Sequence, residues 1–246
     1  MKLQRFFVKE KLGDLKVGDS FFIADVGLSN QLRKVFRFRG MSRGQQAFRD
    51  GEVVELFNGS GFNFESKIID FEKDGTNFVL ISKEENKNIS KIEVHLFQSI
   101  IKKDNFELVV EKCTELGVRL FHPVISERSE KKDLNLERLN KIAKEASEQS
   151  GRGEVPEIFA PTKLTDAVKN FNGKLLVFDF DAPSIVSEQL KFKNLKKVGI
   201  FIGPEGGWSE GDLQVLKYAE AEIVSLGKQV LRAETASIVA STLFLI

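Results

Sequence analysis

Two segments late in the chain carry residue types and spacings that suit a ligand. The first is Phe201-Ile202-Gly203-Pro204-Glu205-Gly206-Gly207-Trp208-Ser209; the second is Leu226-Gly227-Lys228-Gln229-Val230-Leu231-Arg232-Ala233-Glu234-Thr235-Ala236. Each leaves an apolar strand-like stretch, passes through glycines and re-enters a helical pattern. Gly203, Gly206 and Gly207 let backbone approach backbone or ligand, and Pro204 fixes one φ and removes one donor. Strand ends that give way to helices are where an open α/β sheet keeps its ligand. No G-x-G-x-x-G follows a strand and no phosphate loop ending in G-K-S/T is present, so the site differs from a first-turn pyrophosphate cradle. Leu226, Val230 and Leu231 around glycines offer apolar contacts and backbone hydrogen bonds to a ligand. The alternative for any one glycine is a tight left-handed turn at a strand end.

The elements that must position these loops alternate from Lys91 onward. Strands are expected at Ile92 to Ile101, Arg119 to Ile125, Lys174 to Phe180, Lys197 to Ile202 and Ala221 to Leu226. Helices are expected at Asp104 to Leu116, Leu136 to about Gly151, Thr165 to Asn170, near Ser187, Ser209 to Ala219 and Glu234 to Ile246. Asp104 and Glu107 have capping-box spacing, Gly117 follows as a stop, and Ser209 reads as an N-cap with acids behind it. This alternation implies a mostly parallel sheet covered on both faces. Residues 1 to about 85 differ: Phe21 to Ala24, Val53 to Phe57, Ser66 to Ile69 and Asn77 to Ile81 are short strand-like runs separated by turn signals, as in a small barrel or sandwich. Ser82 to Asn88 reads as a linker.

Composition narrows the class. The 246 residues are 41% hydrophobic and 30% charged with a net charge of +1, so any nucleic-acid role rests on a local patch rather than bulk charge. One such patch runs from Val26 to Arg49 without an acid, holding Arg33, Lys34, Arg37, Arg39, Arg43 and Arg49 with Phe36, Phe38 and Phe48 among them. Basic residues neutralise phosphates and aromatics stack on bases; the plainer reading is a solvated basic strand and hairpin with core phenylalanines. Cys113 alone allows no disulfide, and with His95 and His122 it has no metal-ligand spacing, so no metal is expected. The opening lacks the apolar core of a signal peptide and no run reaches membrane-spanning length, making cytoplasm the expected compartment, with no membrane partner.

Taken together, Gly203 to Gly207, Leu226-Gly227, Val230 to Ala236, Thr114-Glu115-Leu116-Gly117-Val118, Gln149-Ser150-Gly151-Arg152 and the opening Arg5-Phe6-Phe7-Val8 resemble the RsmE family. Its members are 16S ribosomal RNA uridine-N3 methyltransferases of the SPOUT class, and the resemblance covers essentially the whole chain. It implies a PUA-like β-barrel over residues 1–85 that binds RNA and a trefoil-knotted α/β methyltransferase domain over 86–246. It also implies S-adenosylmethionine as cofactor, 16S ribosomal RNA within the small subunit as partner, and a homodimer. Carried over by residue, Ile202, Gly203, Pro204, Glu205, Gly206, Gly207, Leu226, Gly227, Val230, Leu231 and Arg232 line the cofactor pocket, with Leu176 and Phe178 as a further wall. Arg152 falls on the substrate side, where a guanidinium would steady the anion that uridine N3 becomes. Glu234 reads either as acceptor of that proton or as an acid in the first turn of the last helix. Arg5, Arg33, Lys34, Arg37 and Arg128 are expected to face RNA. Two rival functions remain: a SPOUT methyltransferase with another RNA target, and a non-catalytic RNA-binding or ribosome-assembly protein.

Overall fold

The structure, a computed structural model, describes residues 3–36, 52–129, 133–169, 171–182 and 195–246. Arg37, Arg39, Arg43, Arg49, the rest of the 37–51 segment and the expected helix near Ser187 lie outside them. The chain divides into two compact units, Met1–Ile89 with Gly151–Glu154, and Ser90–Ser150 with Val155–Ile246.

The first unit contains β1 (Arg5–Phe7), β2 (Ser20–Ile23), α1 (Val26–Val35), β3 (Val53–Phe57), β4 (Phe62–Phe71) and β5 (Thr76–Glu85). Its described strands form one mixed sheet in the order β1-β3-β4-β5-β2, with β1 and β3 parallel and the other pairs antiparallel. Alternation drives it: Thr76, Phe78 and Leu80 of β5 point inward, between residues that are only partly covered. Register shifts at Glu65/Ser66 and Ile68/Asp70 add twist to the longest pair.

Two expectations change here. The start of the basic stretch is a helix, not a strand. The Asp25 side chain accepts from the Leu28 amide at 2.9 Å, and Leu28 and Leu32, one turn apart, are buried in the same core as Phe6, Leu56 and Phe78. Arg33 and Lys34 thereby fall in the last turn, where cations favour the helix dipole. The expected linker is also shorter than read, because Ser82 to Glu85 continue β5 and pair with Phe62 to Glu65.

The second unit contains β6 (Glu93–Ser99), α2 (Lys103–Leu116), β7 (Leu120–Ile125), α3 (Leu136–Ser150), β8 (Glu157–Ile158), β9 (Thr162–Lys163), α4 (Leu164–Lys169), β10 (Lys174–Phe178), β11 (Lys197–Ile202), α5 (Glu210–Tyr218), β12 (Glu222–Val224) and α6 (Ala233–Leu245). Among the described residues the sheet runs β12-β10-β11-β6-β7-β8, with β9 also beside β7, and every pairing is parallel. One face buries Leu96, Leu176 and Ile200 against Val109 of α2, Leu139 of α3 and Phe244 of α6. The other buries Phe97, Val177 and Phe201 with Leu164 of α4 and Leu216 of α5. A sheet covered on both faces explains why its strands read as continuous apolar runs.

The capping box expected at Asp104 and Glu107 does not form. α2 starts one residue earlier, on Lys102 without a side-chain cap, and the Glu107 carboxylate instead meets Arg138 at 3.1 Å. At the other end Gly117 takes φ 114°, the left-handed stop that its position suggests. Ser209 caps α5 in a full capping box with Asp212.

Candidate functional site

Register brings the site together. Phe178 lies opposite both Ile202 and Val224, so β10, β11 and β12 end at one level and their loops emerge side by side. The chain also changes direction here, with β7 and β8 on one side of β6 and β11, β10 and β12 on the other. Ligands of open α/β sheets collect at such a switch point. The loops enclose a cleft of about 760 Å³, completed by Lys102 and Asn105 at the start of α2, by Arg128 after β7 and by the first turn of α6.

The loop after β11 is held from several directions. Arg128 Nη1 donates to the carbonyls of Gly206 at 2.9 Å and Trp208 at 3.2 Å. Glu127 accepts from the Ser209 hydroxyl, while its own amide faces the Asp212 carboxylate at 3.3 Å. Glu205 accepts from the Lys102 amide at 3.1 Å. Trp208, 5% exposed, donates through Nε1 to the Phe178 carbonyl at 3.2 Å, joining the β10 and β11 ends. A Cβ on Gly203 would stand 3.3 Å from that indole, tighter than ordinary contact.

The loop after β12 is organised by one hydroxyl. Ser225 Oγ lies 3.0 Å from the Gly227 carbonyl and 3.3 Å from both the Phe180 carbonyl and the Gly227 amide. Gly227 takes φ 137°, a conformation that side chains make costly. The chain then enters α6, whose N-cap Arg232 is extended and gives its helix no side-chain cap.

Of the residues expected in the pocket, Phe178, Ile202, Gly203, Pro204, Glu205, Gly206, Gly207, Leu226, Val230, Leu231 and Arg232 line the cleft. Leu176 does not, being fully buried in the sheet, and Gly227 shapes its loop without lining it. Glu234 lines the cleft, is 7% exposed, and has one carboxylate oxygen buried without a hydrogen-bond partner. Arg128, read as an RNA contact, also lies in the cleft wall. Gln229, inside the expected Leu226–Arg232 run, also lines the cleft, whereas Lys102, Asn105, Asp179, Phe180, Asp181, Trp208 and Ser225 lie outside the expected residues. The acids flanking Phe180 directly after a strand were the one local signal available.

The remaining expected residues belong to the first unit. Arg5 is buried beside Glu55 and over the Phe57 ring, and its guanidinium donates to Asn63 Oδ1 at 3.1 Å and the Arg152 carbonyl at 3.2 Å. A guanidinium so occupied ties β1 to Glu55, Asn63 and the Arg152 backbone within the unit. Arg152 is 5% exposed and its guanidinium stands 3.6 Å from Glu154. Arg33 stacks on Phe71 and donates to the Glu72 carbonyl at 3.1 Å, while Lys34 is exposed.

Within the second unit Cys113 is a core residue, His95 is buried and His122 is half-buried. Burial pushes the Cys113 thiol up to about 12, far from a reactive thiolate. His95 Nδ1 lies 2.9 Å from His122 Nε2, and His95 Nε2 lies 2.8 Å from Glu93. Burial, then the neighbouring His95, pushes His122 down to about 3, and burial lowers His95 as well. Among the described residues there is no group of three or more His, Cys, Asp or Glu able to hold a metal, and no helix long and apolar enough to cross a membrane.

The family described as an RNA methyltransferase domain matches residues 88–245, the stretch that holds this parallel sheet and its cleft. A ribosomal RNA small subunit methyltransferase E from Rickettsia conorii is 32% identical over 191 residues, 76% of this chain and 78% of the relative. One from Bacillus subtilis is 26% identical over 255 residues, 97% and 94% of the two chains. The crystal structure of a ribosomal RNA small subunit methyltransferase E from Neisseria gonorrhoeae bound to S-adenosyl methionine superposes with a TM-score of 0.83 at 28% identity, covering 98% of this chain and 95% of that one. The chain belongs to the ribosomal RNA small subunit methyltransferase E family.

Proposed function

We propose that the protein transfers a methyl group from S-adenosylmethionine to N3 of a uridine in the 16S RNA of the small ribosomal subunit. The observation that carries this reading is the cleft itself, built by three register-matched strand ends in a chain of this family. The residues present fit the cofactor. Phe178, Ile202, Leu226 and Leu231 supply apolar wall for a purine, the carboxylates of Asp179 and Asp181 can accept from sugar hydroxyls, and the loop backbone is left for polar contacts. When bound, the cofactor supplies a methyl group on a positively charged sulfur.

The protein's own task is then to hold a pyrimidine in line and to stabilise the charge it develops. Arg152 is assigned to the substrate side, where its guanidinium would meet a uracil carbonyl or target phosphate. Arg33 and Lys34 at the end of α1 are assigned to RNA phosphates. Arg128 remains a candidate RNA contact at the rim of the cleft. N3 lies on the pairing edge, so a paired target would have to leave its duplex to be reached. A homodimer belongs to the same reading, since it is the family's expected assembly.

The test is methyl transfer from labelled cofactor to purified small subunits, large subunits and stripped RNA. Label in small-subunit RNA alone supports the reading; label in large-subunit or transfer RNA would favour another target. No transfer and no heat on titration with millimolar S-adenosylmethionine would favour a non-catalytic binder.

A further inference from the structure

The cleft holds a buried, unpartnered carboxylate oxygen, on Glu234. The residue is only 7% exposed and its position faces the cleft. An unpaired buried acceptor is costly, the more so when charged, and survives where a donor arrives during function. Around it lies a second unsatisfied feature. α6 is thirteen residues long, its N-cap Arg232 makes no side-chain cap bond, and Ala233, Glu234 and Ala236 all line the cleft. Its first amides have no intrahelical acceptor, and they form the positive end of the helix dipole.

A carboxylate beside open amides is complementary to one edge of uracil, where an N–H stands between two carbonyl oxygens. Building on the uridine-N3 reading, we propose that the first turn of α6 is the deprotonation site: Glu234 takes the N3 proton, and the helix amides receive the uracil oxygen that gains the charge. The N3–H bond breaks and an O–H bond forms on Glu234. The electron pair left on N3 forms the new bond to the methyl carbon, and the carbon's former bonding pair stays with the leaving sulfur. The helix end faces one negative charge before the proton moves, on Glu234, and one afterwards, on uracil. Little charge reorganisation is therefore demanded of the site.

The turn that bears Glu234 is fixed from behind. Ser237, three residues on and fully buried, places its hydroxyl on the Gln98 side-chain oxygen and 2.9 Å from the Ala233 carbonyl. Gln98, 1% exposed at the end of β6, also donates to the Ser99 carbonyl at 2.9 Å and lies opposite Ile202 of the cleft. Gln98 and Ser237 are thus positioning residues that set the rotation of α6 over the end of β6.

The test is single-turnover methylation of RNA carrying either uridine or 5-fluorouridine at the target, whose N3 proton is more acidic and needs less help to leave. Affinity for S-adenosylhomocysteine is measured for every variant and is expected to stay within threefold of the parent for Glu234→Gln and Ser237→Ala, which shows that the cleft is intact. Glu234→Gln should slow uridine by about 100-fold, the low end for a lost proton acceptor, and 5-fluorouridine at least tenfold less. Ser237→Ala should show a smaller defect with the same discrimination, and Ser237→Thr, which keeps the hydroxyl, should recover most of the rate. Arg232→Asp, which lays a capping carboxylate over the amides, should be at least tenfold slower than Arg232→Ala. Equal defects on the two RNAs, with the product still methylated at N3, would overturn the deprotonation site alone. Equal rates for the two Arg232 variants would overturn the role of the amides. Methylation at any other atom would overturn the uridine-N3 reading and this site with it.

Discussion

Arg128→Ala separates two roles that one arginine could fill. Its guanidinium donates to the Gly206 and Trp208 carbonyls at 2.9 and 3.2 Å, and its stem lies 3.6 Å from where a Gly206 Cβ would stand. Both bonds span from the loop after β7 to the loop after β11, so losing them loosens that loop while its ties through Glu205, Trp208 and Ser209, and the sheet, stay in place. Partly exposed hydrogen bonds are each worth about 0.5–1 kcal/mol net, so the pair holds the loop by about 1–2 kcal/mol. If the cofactor requires the loop as it stands, that energy reappears as a loss of affinity of about 5–30-fold. Arg128→Lys should recover little, because an ammonium lacks the planar fork that reaches two carbonyls. The assay is calorimetric titration with S-adenosylhomocysteine, beside RNA binding at several salt concentrations. Cofactor affinity within twofold of the parent, with the salt slope of RNA binding lowered by about one unit as for a lost phosphate contact, would refute the clamp and make Arg128 an RNA residue.

Other substitutions test other parts of the architecture. Ser209→Ala removes the cap of α5 and should cost about 1 kcal/mol in urea unfolding; a neutral result would mean that Asp212 alone holds that helix end. Gly227→Ala meets no atom within 4 Å but must adopt φ 137°, so strain of about 1–3 kcal/mol should appear as lost stability; an unchanged unfolding midpoint would contradict that conformation. Burial holds His122 neutral in the folded state, its imidazole pushed down to about 3, and lowers His95, while unfolded histidines take up protons below about 6.5, so stability should fall as pH drops from 6.5 toward 5. His122→Phe keeps the ring stack with Phe97 and Phe159 and should flatten that decline; an equally steep decline would place the titrating group elsewhere.

Local chemistry made much of the catalytic unit legible. Gly117 and Ser209 end and start helices by mechanisms that act within a few residues, and the strands of a sheet covered on both faces announce themselves as apolar runs. The two glycine-bearing loops could be found because turn chemistry is written in their own residues. What escaped depends on distant partners. Asp104 could have capped α2, but the nearby Arg138 takes Glu107 and the helix begins elsewhere. The start of the basic segment became a helix because Leu28 and Leu32 had a core to enter, which charge composition hides. Trp208 and Phe180 entered the cleft wall only when register aligned three strand ends. The grouping of Gly151–Glu154 with the first unit follows from contacts of Asn86 and Arg5 more than sixty residues away in sequence.

The most direct measurement is nucleoside mass spectrometry of small-subunit RNA after reaction with the protein and S-adenosylmethionine. A single new 3-methyluridine is expected, absent when the cofactor is withheld. A new methyl group on a ribose hydroxyl, on another base atom or on no nucleoside at all would contradict it.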